Sequence, residues 1–346
     1  MGLVYDLSQK YKTLSIVGMA KNAGKTTALN YLLEEAYDED LVVGVTSTGR
    51  DGETTDVVTG TDKPKVYLFE DTIVSVPERL YELCETGLEI LKRTNYRTAM
   101  GNVLICRVAE AGYVQIAGPG SITDHKKLCD DMAAYGVDMI FIDGAIDRKS
   151  IAAPETSDAI ILATGAVISR SLKVVVEDTL HIVSLYGSPV LDDPKAVGIL
   201  KKEKKDVYRV LTIDDEYRVH LLAAKTALSA GPLMDSAIDE HTKYVYIPGA
   251  LTESILGAIN PRKFKNVTIV LPDPTRVFVG AVKWQQLKKK GMKVVVMEDI
   301  KVAAVTVNPY APLGYSFDHE ELLTSVRDAL GGSIPVFDVR TGGLEE

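Results

Sequence analysis

Cysteine is scarce in this chain: Cys84, Cys106 and Cys129 are the three among 346 residues, and no two form a Cys-x-x-Cys pair. That spacing argues against a disulfide framework or a zinc knuckle and fits a reducing, cytoplasmic setting. Long apolar runs are also missing. None approaches the roughly 20 residues a membrane-crossing helix needs, so no membrane association is expected. The segment Met1 to Lys12 is mixed in charge and lacks the apolar core of a signal peptide. The histidines, His125, His181, His220, His241 and His319, show no metal-ligand spacing and are expected to be structural or exposed. Positive charge is not in excess either, since the net charge is −9. An acidic chain repels a polyanion, and no nucleic-acid partner is expected. The basic clusters Lys201–Lys205 and Lys288–Lys290 read as solvated faces, the second closing a helix whose dipole favours cations there.

What is present is a globular composition, 46% hydrophobic and 25% charged, in a chain long enough for two ordinary domains. Short β-rich runs alternate with helical periodicity along both halves. The first run, residues 13–18, is followed by a glycine-containing loop and then by Leu29, Leu32, Leu33 and Ala36 at helical spacing. Residues 41–45, 103–108, 113–117, 139–142 and 159–163 read as further strands. Helices are expected from Pro77 to about Arg93, over 123–135 and over 168–185. Gly187 to Pro194 holds the strongest cluster of breakers and marks a boundary. Beyond it, strands are expected at 243–247, 267–271, 294–297 and 303–307. Helices are expected at 250–259, 276–290 and 318–330, the last with the capping-box pair Asp318 and Glu321. The fold class that follows is α/β: a domain over 1–190 with a mainly parallel sheet, and a second α/β domain over 191–346.

The chemistry concentrates in Gly18-Met19-Ala20-Lys21-Asn22-Ala23-Gly24-Lys25-Thr26-Thr27. Glycines let a backbone curl so that successive N–H groups point at phosphate oxygens, and the helix that follows adds its positive N-terminal end. Lys25 is placed to reach the terminal phosphates of a nucleoside triphosphate, and the Thr26 hydroxyl to ligate magnesium. Gly18, Lys21, Asn22, Ala23, Gly24, Lys25, Thr26 and Thr27 are therefore the candidate nucleotide-binding residues. Five residues separate Gly18 from Gly24-Lys25-Thr26, one more than the standard phosphate loop has.

Asp143, at the tip of the apolar strand 139–142, is the natural second magnesium ligand, and with Lys25 and Asp51 makes up the candidate catalytic set. Two further loops are expected on the same sheet edge, because ligands of such folds bind beyond the carboxyl ends of the strands. In Thr46–Glu53, Asp51 and Glu53 are candidates to position a water or a metal, and Arg50 to clamp an anion. In Gly118–Asp124, Ser121 either receives an oxyanion or caps the next helix. Arg148 either contacts phosphate or partner, or pairs with Asp147. In the C-terminal half, Thr252, Asp273, Arg276, Asn308 and Tyr310 follow strands that end in proline or glycine. They either gather round one crevice of a parallel sheet or merely mark strand ends.

The Gly-x5-Gly-Lys-Thr loop with Asp143 resembles the P-loop NTPases of the dethiobiotin synthetase, cobyric acid synthase and MinD-like class, over about the first 190 residues. The core from Lys21 to Thr27 also resembles the nucleotide loop of the molybdopterin-guanine dinucleotide proteins. Two departures are visible. Dethiobiotin synthetases carry a substrate-binding lysine where this chain has Thr46-Ser47-Thr48-Gly49-Arg50. The signature lysine of MinD-type proteins lies five residues before the loop lysine, whereas Lys21 lies four before Lys25. Lys21–Thr27, Thr46–Glu53 and Asp143–Ser150 together resemble the ATP-binding reactivase subunit of adenosylcobalamin-dependent lysine aminomutase, over the whole chain.

That last resemblance implies ATP-driven release of damaged cobalamin from a mutase, with a second reactivase subunit as partner. The cofactors implied are ATP and Mg2+, and the absence of an Asn-Lys-x-Asp guanine signature favours ATP over GTP. Three functions stay open from sequence. One is an ATPase acting on a protein partner, itself a monomer or a homo-oligomer. The second is a synthetase or kinase for a small carboxylate or amine, and the third is a nucleotide sensor that does not hydrolyse.

Overall fold

Met139-Ile140-Phe141-Ile142 is apolar throughout because the strand it forms is covered on both faces. Met139 and Phe141 pack with Leu29, Leu32 and Leu33, whereas Ile140 and Ile142 pack with Leu128 and Met132. Alternate side chains of a strand point to opposite faces, so one helix lies on each side of the sheet. Each buried leucine or isoleucine contributes about 2 kcal/mol of transfer free energy to that layering.

A computed structural model describes residues 2–48, 66–84, 86–144, 157–203, 209–223, 227–312 and 314–338. The chain opens with α1 (Leu3–Ser8), β1 (Thr13–Gly18), α2 (Lys25–Asp38) and β2 (Val43–Ser47). Next come β3 (Val66–Leu68), β4 (Ile73–Pro77), α3 (Glu78–Glu82), β5 (Leu88–Thr98), β6 (Gly101–Val108) and β7 (Gly112–Val114). They are followed by α4 (Ile122–Ala133), β8 (Met139–Asp143), β9 (Ala159–Gly165) and α5 (Leu172–Tyr186). The next elements are α6 (Pro194–Glu203), β10 (Leu211–Asp214), β11 (Val219–Leu221), α7 (Ala227–Ala237), β12 (Thr242–Tyr246) and β13 (Leu251–Thr252). Then come α8 (Glu253–Gly257), β14 (Thr268–Leu271), β15 (Val277–Phe278), α9 (Ala281–Lys289) and β16 (Lys293–Val296). The chain ends with β17 (Val302–Asn308), α10 (His319–Ala329) and β18 (Val336–Asp338).

Two compact units result: Met1–Leu180 with Lys301–Glu346, and His181–Ile300. The first contains a nine-stranded sheet in the order β18-β17-β9-β1-β8-β2-β4-β6-β5. From β18 to β4 neighbouring strands are parallel; β6 and β5 close the sheet as an antiparallel hairpin. The carboxyl ends of β2, β8, β1, β9, β17 and β18 therefore share one edge. The second unit has a five-stranded sheet, β11-β10-β12-β14-β16, parallel from β12 to β16. Ile255, Leu256, Trp284 and Leu287 lie in one of its clusters, and Ala196 and Leu200 in another. Among the described residues no helix is long and apolar enough to cross a membrane.

Three differences from expectation bear on the placement of the site. The helix expected from Pro77 to Arg93 is only α3, and Leu88 to Arg93 belong to β5 instead. The residues of β5 pair along β6, and that ladder outweighs helical periodicity in the stretch. The second unit does not run from 191 to the C-terminus, because β17 and β18 return to the first sheet. For the same reason Asn308 and Tyr310 do not share a unit with Thr252, Asp273 and Arg276.

Candidate functional site

The loop after β1 opens between two later strands. Ile16 is in register with Asp143 of β8 on one side and with Ile161 of β9 on the other. Met19 N–H donates to the Ala163 carbonyl at 2.9 Å, which fixes the start of the loop on β9. Ala23 N–H donates to the Ala20 carbonyl at 3.3 Å and draws the loop into a turn. Asn22 has φ 64° and Gly24 has φ 98°, so the chain twice enters the left-handed region just before α2. Glycine takes that conformation without steric cost. Such a curl turns successive N–H groups towards a common centre.

Gly24 is the N-cap of α2 and no side chain caps it. The first intrahelical bond is Ala28 N–H to the Gly24 carbonyl at 2.8 Å, so the earlier N–H groups of the turn have no acceptor within the helix. The Lys25 stem folds back over the start of the loop: a Cβ built on Gly18 would lie 3.2 Å from Lys25 Cγ and 3.3 Å from its Cδ. Lys21, Lys25 and Thr26 are half-buried, Ala23 is buried, and Asn22 and Thr27 are exposed.

Asp143 ends β8 beside this loop. Its carbonyl accepts from Thr48 N–H at 3.0 Å, and the next residue, Gly144, donates its N–H to the Ile16 carbonyl at 3.1 Å. Strand alternation puts the Asp143 side chain on the face of Phe141, the face that α2 covers. The carboxylate, Lys25 and Thr26 thus belong to one face and one edge. Among the described residues no group of three or more His, Cys, Asp or Glu is arranged to hold a metal. Magnesium is commonly held by one or two carboxylates and phosphate oxygens, so Asp143 with the Thr26 hydroxyl is a donor set of the right kind.

The loop after β7 reaches the same edge. The Ser75 hydroxyl donates to the Ala117 carbonyl at 2.9 Å and pairs with the Thr46 hydroxyl at 2.7 Å. Ser121 accepts from Asp124 N–H at 3.1 Å, which is the helix-capping role. Arg50, Asp51, Glu53 and Arg148 lie outside the described residues. A cavity of about 150 Å³ lined by Leu33, Tyr37, Val43 and Phe69 lies at the far end of α2 from Lys25, and the site makes no use of it.

On the other side of β1 lie the ends of β17 and β18, with Asn308 and Tyr310, which the sequence grouped with Thr252, Asp273 and Arg276, and with His319 and Asp338, which it did not assign to a site. Asn308 ends β17 against the loop: a Cβ on Gly24 would lie 3.1 Å from Asn308 Cβ and 3.3 Å from its Nδ2. The Asn308 carbonyl accepts from Ala166 N–H at 2.9 Å, which ties β17 to the end of β9. Tyr310, His319 and Asp338 stand in a hydrogen-bonded row near the ends of β17 and β18. The apolar run 303–307 ending in Asn-Pro was visible in sequence, but nothing there tells which sheet the strand enters.

No protein-family model matches the sequence, and no curated protein matches it.

Proposed function

We propose that the protein is a P-loop NTPase that binds ATP with magnesium on the Gly18–Thr27 loop and couples its hydrolysis to a protein partner, in the cytoplasm. The observation that carries this reading is the uncapped, left-handed turn at Gly24, with the Lys25 stem folded back over Gly18 and Asp143 ending the neighbouring strand. Mg-ATP supplies the phosphoanhydride bond and a Lewis acid. The turn's N–H groups and the positive end of α2 hold the phosphates. Lys25 places its ammonium among their terminal oxygens, and Thr26 and Asp143 hold the magnesium shell. Asp51 is the candidate to orient the attacking water.

The coupling to a partner rests on the resemblance of Lys21–Thr27, Thr46–Glu53 and Asp143–Ser150 to the reactivase subunit of cobalamin-dependent lysine aminomutase. In that reading the partners are the mutase and a second reactivase subunit, and nothing in the site itself calls for cobalamin chemistry.

Titration calorimetry tests the core of the proposal. Wild type should bind Mg-ATP, and Lys25→Ala should lose binding by at least about 100-fold, given the ~3 kcal/mol scale of a charge-assisted contact removed with its phosphate partner. Equal affinities in the two proteins would sink it. ATP turnover that rises with a cobalamin mutase supports the coupling; turnover that requires a small carboxylate or amine replaces it with a synthetase.

A further inference from the structure

The C-terminal end of α2, opposite to Lys25, borders the cavity of about 150 Å³. Leu33 and Val43 line it and are buried, while Asp40, Glu70 and Asp71 line it and are exposed. Its aromatic wall is the stacked pair Tyr37 and Phe69, with ring centroids 4.6 Å apart and planes inclined by 18°. From Phe69 the rings continue edge to face to Tyr67, at 5.2 Å, and from Tyr67 to Tyr113, at 5.1 Å. Tyr37 is 51% and Tyr113 60% exposed, so an aromatic row leads from the cavity over the surface.

The charge of this place is one-sided. A helix C-terminus is the negative end of the dipole and is stabilised by cations. The last turn of α2 holds no basic residue, and Glu39 and Asp40 follow it. Asp40 and Glu70 have no ion-pair partner among the described residues. Asp71 lies 4.0 Å from Arg107 Nε, and Glu89 lies 4.0 Å from Arg107 Nη1; such contacts between exposed groups are weak. Asp40 and Asp71 have φ 56° and 65°, a conformation that glycine or asparagine takes without charge, so the turns themselves do not call for carboxylates.

The interior adds a polar group. Thr72 lines the cavity and is 4% exposed. It extends β4 by one residue, with Val108 N–H donating to its carbonyl at 2.9 Å. Val74 packs in the cluster of Leu33 and Val43, and strand alternation puts the Thr72 side chain on that same face. Its hydroxyl has no hydrogen-bond partner among the described residues and, unlike the hydroxyls of Ser15 and Thr306, is not closed off from open space. Buried polar groups take partners, so this one is a place for a ligand donor.

We infer that the cavity is a docking site for an arginine side chain on an extended segment of a protein partner. A guanidinium is planar, weakly hydrated, stacks on aromatic faces and carries a fork of N–H donors. Tyr37 and Phe69 offer the aromatic wall, Thr72 an acceptor inside, and Asp40 and Glu70 the opposite charge at the exposed side. Size excludes a larger occupant: roughly 150 Å³ holds one benzene-sized group, whereas sites for whole small molecules start at roughly 300 Å³. The row through Tyr67 to Tyr113 gives the residues flanking the arginine a surface of the kind enriched in protein interfaces. None of these residues belongs to the phosphate loop, and the inference does not rest on nucleotide binding.

Titration calorimetry on the full chain tests it, with the blocked peptide Gly-Gly-Arg-Gly-Gly, its lysine and citrulline counterparts, and free arginine as probes. Citrulline keeps the planar end group and loses the charge. The arginine peptide should bind with a dissociation constant of about 1 mM, the lysine peptide and free arginine about 5-fold more weakly, and the citrulline peptide about 10-fold more weakly. Tyr37→Ala should weaken the arginine peptide about 10-fold, and Thr72→Val, which keeps the volume and removes the hydroxyl, about 5-fold. Asp40→Asn combined with Glu70→Gln should weaken it about 10-fold and flatten its salt dependence. Tyr37, Asp40 and Glu70 are exposed, so their variants should melt with wild type. Equal binding of the arginine and citrulline peptides, an affinity unchanged in Tyr37→Ala, or no binding at about 10 mM would each overturn the inference. Lysine equal to arginine would overturn the stacked guanidinium, and free arginine equal to the peptide would overturn the protein partner in favour of a small-molecule site. Lys25→Ala should bind the peptide as wild type does, so failure here and failure of the nucleotide reading are separate results.

Discussion

Gly24 shows how much one residue decides. Its φ of 98° suits glycine, and a Cβ there would meet the Cβ of Asn308 at 3.1 Å, so any side chain opposes both the turn and the strand end behind it. His125 shows the opposite case, a titratable group that the fold buries without using. It is 2% exposed, and its Nε2 has no partner among the described residues. Burial pushes its imidazole down from 6.5 to about 4. The thiol of Cys129, 3.8 Å from Nδ1, is pushed up to about 12 by burial and stays protonated throughout this range. The unfolded chain therefore takes up a proton on His125 near pH 6.5, and the folded chain only near pH 4. Stability from this group is complete above about pH 6.5 and is lost as the pH falls towards 4, at up to about 1.4 kcal/mol per pH unit and about 3 kcal/mol in all. Urea unfolding between pH 4.5 and 7.5 should show that slope in wild type and a shallower one in His125→Leu. Parallel curves would mean that His125 is charged or exposed in the folded protein.

At the scale of elements, α4 separates two readings of one serine. Ser121 accepts from Asp124 N–H, so Ser121→Ala should cost about 1 kcal/mol of unfolding free energy and leave Mg-ATP affinity unchanged. A 10-fold loss of affinity with unchanged stability would instead make Ser121 an oxyanion contact. The elements nearest the loop were legible in sequence for the reason that governs their burial. In β1, α2 and β8 the period of the apolar residues matches the element, and turn residues punctuate each end. The stretch after Pro77 was not legible. Leu88, Ile90 and Thr94 sit as well on a strand as on a helix, and the choice is made by β6, which follows the stretch in sequence. Tyr310, His319 and Asp338 were illegible as a group, since no local pattern links a strand end, a helix start and a second strand end.

At the scale of the molecule, a break in sequence was mistaken for a simple division. The segment from Gly187 to Pro194 does lie near the first crossing between units, but it is firmly part of the second one. Asp193 there accepts from Lys243 Nζ at 2.9 Å, Tyr217 OH at 3.0 Å and Tyr244 OH at 2.8 Å. Burial alone would raise its carboxyl, and these hydrogen bonds outweigh it and hold the group well below the usual carboxylate range. Propensity cannot foresee the return of the chain into the first sheet, because β17 reads as one more apolar strand of either unit. The return has a consequence for ligand linkage. Every described residue of the proposed nucleotide site, from Gly18 and Asp143 to Asn308, belongs to the first unit, and each unit has hydrophobic clusters of its own. A ligand that binds only the folded form stabilises it by about 2.7 kcal/mol at 100 times its dissociation constant, which slows exchange through that unit's opening about 100-fold. Hydrogen exchange with saturating Mg-ATP should therefore slow in residues 13–38, 139–143 and 302–308 and stay unchanged between His181 and Ile300. Equal slowing in both units would show that they open as a single cooperative body.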